Sequence, residues 1–240
     1  MTEQATGPRP WRRARRTGRR HRRPTFAIAV ALFGVTAGPA ATASAQTTTT
    51  LPPFTATVSM VTPSTVRYSW RPGCPVPPSQ LRLLHLRYYG FDNRSHVGTM
   101  VVNETVVNEV IAVFGRLYAA RFPIRRMVPV DVFHGKDPAS MAADNTSAFN
   151  CRLAVAPGPP QWSVHAYGEA IDVNPVENPY VDDGVAMPPA GARFLNRSEV
   201  RPGMAVPGGT LVEAFASVGW YWGGRWTSSP DYQHFSLTGG

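Results

Sequence analysis

The 240-residue chain carries 24 Lys and Arg against 15 Asp and Glu, a formal charge of +9. Spread over a surface, that excess would suit a nucleic-acid binder. Nine of the arginines, however, lie within residues 1–45 against one acid, Glu3, and residues 46–240 keep a net charge of only +1. Nucleic acid is thereby excluded as a partner of the main body, and with 43% apolar and 16% charged residues the chain is no disordered polyelectrolyte.

The basic run ends at Arg23 and gives way to an apolar stretch, Phe26–Val35, then to small residues and Ala43-Ser44-Ala45 before Gln46. A positive segment, a short apolar core and an Ala-x-Ala site form a secretory signal, with cleavage expected after Ala45. About ten apolar residues are too few to span roughly 30 Å of hydrocarbon comfortably, so no stable membrane span is expected after cleavage. An uncleaved anchor with a basic cytoplasmic tail is the rival reading, and it orients the rest of the chain outward too. The route, general secretory or twin-arginine, stays open. Either way the protein works outside the cytoplasm. There, an even pair of cysteines, Cys74 and Cys151, most simply forms a disulfide. The expected organisation is a signal at 1–45, a Thr/Pro-rich linker at 46–66 and one domain at 67–240.

Along the chain, Leu81–Tyr89 and Gly98–Asn103 read as strands. From Glu104 the period changes: Val106, Val107, Val110, Ile111, Phe114, Leu117 and Tyr118 recur at helical spacing, with Asn103 as N-cap and Pro123 closing the segment. Met127–Phe133 is a strand candidate. Glu169–Val173 alternates as a strand does, after a turn at Gly168. Thr210 and Glu213 have the spacing of a capping box, opening a short helix through Val218 with Gly219 at its end. Strands followed by mixed short elements argue for an α+β domain. No Gly-rich phosphate loop is present.

Two segments carry chemistry. The first is Ser163-Val-His165-Ala-Tyr-Gly168-Glu-Ala-Ile-Asp172, and the second is Asp231-Tyr-Gln-His234-Phe. Gly168 permits a positive-φ turn that folds His165 back beside Asp172. An imidazole and a carboxylate, with His234 as a third ligand, would hold Zn²⁺ and leave a fourth position open, which is the catalytic pattern of zinc. A structural site would be closed and usually cysteine-rich. Asp231, three residues before His234, either takes a proton from the attacking water or orients His234 as a hydrogen-bond acceptor. Ser163 reads as a hydroxyl supporting the ligands or as a local cap. Trp220, Trp222 and Trp226 complete a core or line a groove, and Tyr167 is the better candidate for touching substrate.

These motifs, together with Asp144–Arg152 and Gly219–Trp226, resemble the zinc peptidases of bacterial peptidoglycan, the D-alanyl-D-alanine carboxypeptidase and L-alanyl-D-glutamate endopeptidase family. The resemblance runs from about Cys74 to Ser236. It implies a small α+β domain of the D,D-peptidase and hedgehog type, with an antiparallel sheet carrying one Zn²⁺. It implies that His165, Asp172 and His234 are the zinc ligands and Asp231 the general base. It also implies that Arg152 binds substrate or the developing oxyanion. Many relatives carry glutamate where this chain has Asp231. The expected activity is a secreted, monomeric peptidase acting on peptidoglycan stem peptides. Carboxypeptidase action on D-Ala-D-Ala stands ahead of L-Ala-D-Glu endopeptidase action. The alternative is an inactive, zinc-stabilised cell-wall binding module.

Overall fold

The computed structural model describes residues 51–155 and 159–239; the expected signal at 1–45 lies outside them. In chain order the elements begin with strands β1 (Ala56–Met60), β2 (Leu81–Gly90) and β3 (Ser95–Asn103), then helix α1 (Val107–Ala119). Short strands β4 (Pro123–Ile124) and β5 (Arg126–Met127), helix α2 (Asp137–Ala142) and strands β6 (Asn145–Thr146), β7 (Ala170–Asp172), β8 (Tyr180–Asp182) and β9 (Val185–Met187) follow. Helix α3 (Thr210–Ala216) and strands β10 (Tyr221–Trp222) and β11 (His234–Ser236) close the domain. Mixed short helices and largely antiparallel sheets make this an α+β domain.

The larger sheet runs β1–β2–β3, all antiparallel, with β4 parallel to the far end of β2. β1 falls inside the stretch read as linker, and it pairs along β2 from Ala56 opposite Leu86 to Met60 opposite Arg82. The smaller sheet, β10–β11–β7, is antiparallel and carries the chemistry. Helix α1 packs on the large sheet and on α3: Val110, Val113, Phe114 and Leu117 form its buried stripe, in one cluster with Leu84, Leu86, Met100 and Val102 of that sheet and with Leu211 and Phe215 of α3.

Three expectations are corrected. Met127–Phe133 is not one strand: β5 stops at Met127, and Val130–Phe133 is a 3₁₀ turn whose exit residue, His134, has φ 55°. Pro129 before it cannot donate to a ladder, which ends the pairing there. The helix after Asn103 opens with a 3₁₀ turn over Glu104–Val106 before α1 begins; Asn103 still caps, its side-chain oxygen accepting from Thr105 N at 3.1 Å. The Thr210/Glu213 capping box does not form. Gly209 is the N-cap, its carbonyl accepts from Glu213 N, and α3 ends at Ala216. Cys74 and Cys151 are joined by a disulfide, which ties the loop before β2 to the segment that enters the site. Closing a 77-residue separation is worth about 4 kcal/mol in the chain-entropy account.

Candidate metal centre

The smaller sheet builds the site by register. β11 runs antiparallel to β7 with His234 opposite Asp172 and Phe235 opposite Ile171. Because side chains alternate across a strand, Ile171 and Phe235 enter the core, both fully buried, while Asp172 and His234 share the other face. Phe235 stacks on Phe215 with centroids 4.1 Å apart, so two core contacts fix the positions of two donors.

His165 arrives from outside the sheet, on a 3₁₀ turn over Val164–Tyr167. Ser163 caps that turn, accepting from His165 N at 3.3 Å. Gly168 ends it at φ 73°, and a Cβ there would lie 2.6 Å from Asn103 N, so only glycine fits. Asn103, at the end of β3, donates through Nδ2 to Tyr167 O at 2.9 Å and through its backbone to Gly168 O at 2.9 Å. The large sheet thus anchors the turn that presents His165.

The three donors converge. His165 Nε2 lies 3.2 Å from His234 Nδ1 and 3.2 Å from Asp172 Oδ2, and His234 Nδ1 lies 3.2 Å from Asp172 Oδ1. Their ligating atoms all fall within 4.8 Å of one another, and all three residues are buried. The hydrogen-bond pattern suits a cation. His165 Nδ1 is 2.7 Å from the Ala148 carbonyl, which can only accept, so Nδ1 carries the proton and a neutral ring turns its Nε2 lone pair inward. His234 Nε2 is buried without a partner and faces away from the cluster, which leaves Nδ1 as the inner donor. Two imidazole nitrogens and a carboxylate pointing at one position form a donor set that zinc accepts.

Without a cation the cluster is strongly polarised. Burial opposes charge on both His165 and Asp172, but the pair outweighs it: Asp172 holds the His165 imidazole above its usual range, and the two imidazoles hold Asp172 well below the ordinary carboxylate range. Burial pushes His234 down despite Asp172. Asp231 is driven the other way. Burial, then the charge of Asp172, raises its carboxyl well above the usual value, and its Oδ1 is buried with no hydrogen-bond partner. Gly223 lets this segment close in: a Cβ there would lie 2.9 Å from Asp231 O and 3.3 Å from His234 Cβ.

Arg152 follows the disulfide. Its charge is felt at His165, His234 and Asp231, and Asp137 at the start of α2 grips its Nη2 at 2.9 Å. Its Nε is buried without a partner. Of the tryptophans, Trp220 and Trp222 are buried in the core, whereas Trp226 is partly exposed with its ring 5.4 Å from that of His234. Tyr167 is exposed beside His165. Sequence reasoning missed Ala148, the hold of Asn103 on the His165 turn beyond its role as a helix cap, and Asp137. The first acts through its backbone carbonyl, which has no sequence signature, and the others act through contacts with segments far along the chain.

His165, Asp172 and His234 together form a group that could hold a metal ion. Residues 157–237 match the family model described as D-alanyl-D-alanine carboxypeptidase. That match supports the peptidase family the motifs resemble, and it takes in His165, Asp172, Asp231 and His234 but not Arg152. No curated protein and no solved structure matches the chain. No helix among the described residues is long and apolar enough to cross a membrane.

Proposed function

We propose that this protein is a secreted, monomeric zinc peptidase that hydrolyses a peptide bond in peptidoglycan stem peptides. Removal of a terminal D-alanine stands ahead of cleavage between L-alanine and D-glutamate. The observation that carries this reading is the unpartnered, buried Oδ1 of Asp231 beside three converging donors. A binding module needs the donors but has no use for a buried carboxyl with an unpartnered oxygen, which costs free energy to hold.

Zinc held by His165, Asp172 and His234 would polarise the peptide carbonyl and bring the pKa of an attacking water toward about 7. Asp231 takes the proton of that water and passes it to the leaving amine. Arg152, held by Asp137, binds the substrate carboxylate or the developing oxyanion.

Digestion of purified peptidoglycan, read by mass spectrometry of the muropeptides, tests the reading. Loss of terminal alanine marks the carboxypeptidase, and scission after the first stem residue marks the endopeptidase. Asp231→Ala should slow product formation by about 100-fold or more with metal content intact, and His165→Ala should lose both. Unchanged turnover in Asp231→Ala would overturn the mechanism.

A further inference from the structure

A second cleft, of about 330 Å³, includes none of the candidate metal ligands, nor Asp231 or Arg152, among its lining residues. Two phenyl rings and three arginines form its walls. Arg125 Cζ sits 4.1 Å from the centroid of Phe91, while Arg193 and Arg201 approach Phe194 at 4.9 and 5.3 Å. Stacking on a ring occupies the face of a guanidinium and leaves its N–H edge free to donate. The arginines are incompletely answered. Arg125 lies 3.4 Å from Asp144 and 3.7 Å from Glu177, both beyond the 2.7–2.9 Å usual for a charge-assisted hydrogen bond. Arg201 holds Glu199 at 3.0 Å and, through Nη1, the Arg193 carbonyl at 3.1 Å. Arg193 itself has no ion-pair partner among the described residues.

The side of the cleft away from solvent is formed by Glu177. It is only 2% exposed, and its Oε2 has no hydrogen-bond partner among the described residues. An orphaned buried carboxyl oxygen is costly unless something completes it. Burial, a hydrogen bond to Asp144 and the charge of Asp144 push this carboxyl up to about 8, so near neutral pH it mostly keeps a proton, directed at Asp144, and adds no negative charge to the cleft. With Asp144 set against Arg125 and Glu199 against Arg201, the cleft keeps one unit of positive charge on Arg193, in a body whose net charge over residues 46–240 is only +1. One positive charge, forked N–H donors and apolar ring edges suit a monoanion with some apolar surface. They suit a phosphate dianion less, since one of its charges would stay uncompensated.

We propose that this cleft, walled by Arg125, Arg193, Arg201, Phe91 and Phe194 and closed by Glu177, is a binding site for a carboxylate-bearing segment of an acidic peptide. The carboxylate sits between the Arg193 and Arg125 forks, and the adjoining peptide lies across the phenyl rings. Its lining includes no candidate metal ligand, so it stands or falls apart from the proposed peptidase activity.

The test is calorimetric titration of the full chain with N-acetyl-Ala-Glu-Ala-amide, its Gln counterpart and inorganic phosphate. The acidic peptide is expected to bind with Kd of about 1 mM or tighter, and the Gln peptide about tenfold more weakly. Arg193 is exposed, so Arg193→Ala should fold normally and lose about tenfold in affinity, with Arg193→Lys in between. Binding should survive chelator treatment and His165→Ala. Absence of binding, equal binding of the two peptides, an unaffected Arg193→Ala, tighter binding of phosphate, or loss of binding in His165→Ala would each overturn the proposal; the last would move the peptide to the metal centre.

Discussion

Glu177 gives the sharpest quantitative test. Its carboxyl is buried, lies near Asp144 and rises to about 8 in the folded protein, against about 4.3 in an unfolded chain. Between those values the folded state holds a proton that the unfolded state has lost. The contribution of Glu177 to stability therefore falls as pH rises, by about 1.4 kcal/mol per unit. Over the whole window the loss is on the order of 4–5 kcal/mol, fully developed above pH 8 and absent below about pH 4. That is a large part of the 5–15 kcal/mol typical of a domain. Glu177→Gln keeps the shape and stays neutral at every pH. Urea unfolding of chelator-treated wild type and variant, at pH 5, 7 and 9, reads the difference without added salt. The two curves should nearly coincide at pH 5, and the variant should be the more stable by several kcal/mol at pH 9. Parallel pH dependence in the two proteins would refute the assignment of a buried, protonated carboxyl at this position.

Other outcomes follow from the same geometry. Asp172→Asn and His234→Ala each remove one of three converging donors; zinc content by elemental analysis should fall from about one equivalent to near zero, and added zinc should no longer raise Tm. Asp137→Asn releases the 2.9 Å grip on Arg152 and should raise KM about tenfold on stem peptides while zinc content stays unchanged. Phe235→Ala opens a cavity beside Phe215 and should cost about 3–5 kcal/mol in urea unfolding; zinc affinity should fall with it, because Phe235 fixes the strand that carries His234. Reduction of Cys74–Cys151 should lower stability by about 4 kcal/mol, measured as a shift in the urea midpoint with and without reductant.

The donors were legible in the text of the chain because their chemistry is local. His165, Gly168 and Asp172 lie within eight residues, and the glycine that must take a positive φ marks the turn between them. The buried stripe of α1 was legible for the same reason, since helical spacing writes a core face into consecutive turns. The alternation around Ile171 and Asp172 likewise announced which residues face the core. The short elements were less readable. Val130–Phe133 is as apolar and β-branched as a strand, yet the proline before it and the tight turn after it make it 3₁₀, and the Thr210 capping box yields to a backbone cap at Gly209.

By itself, then, the sequence determined two short motifs: an imidazole and a carboxylate seven residues apart, and an acid three residues before a second imidazole. Only the tertiary structure decided that His234, 62 residues beyond Asp172, stands directly opposite it. It alone decided that the outer nitrogen of His165 rests on the Ala148 carbonyl, that Asp137 holds Arg152, and that Glu177 is sealed behind an arginine-walled cleft. Strand register, backbone acceptors and burial depend on which distant segments pack together, and the energy that selects them is spread over the whole core rather than written into any one motif.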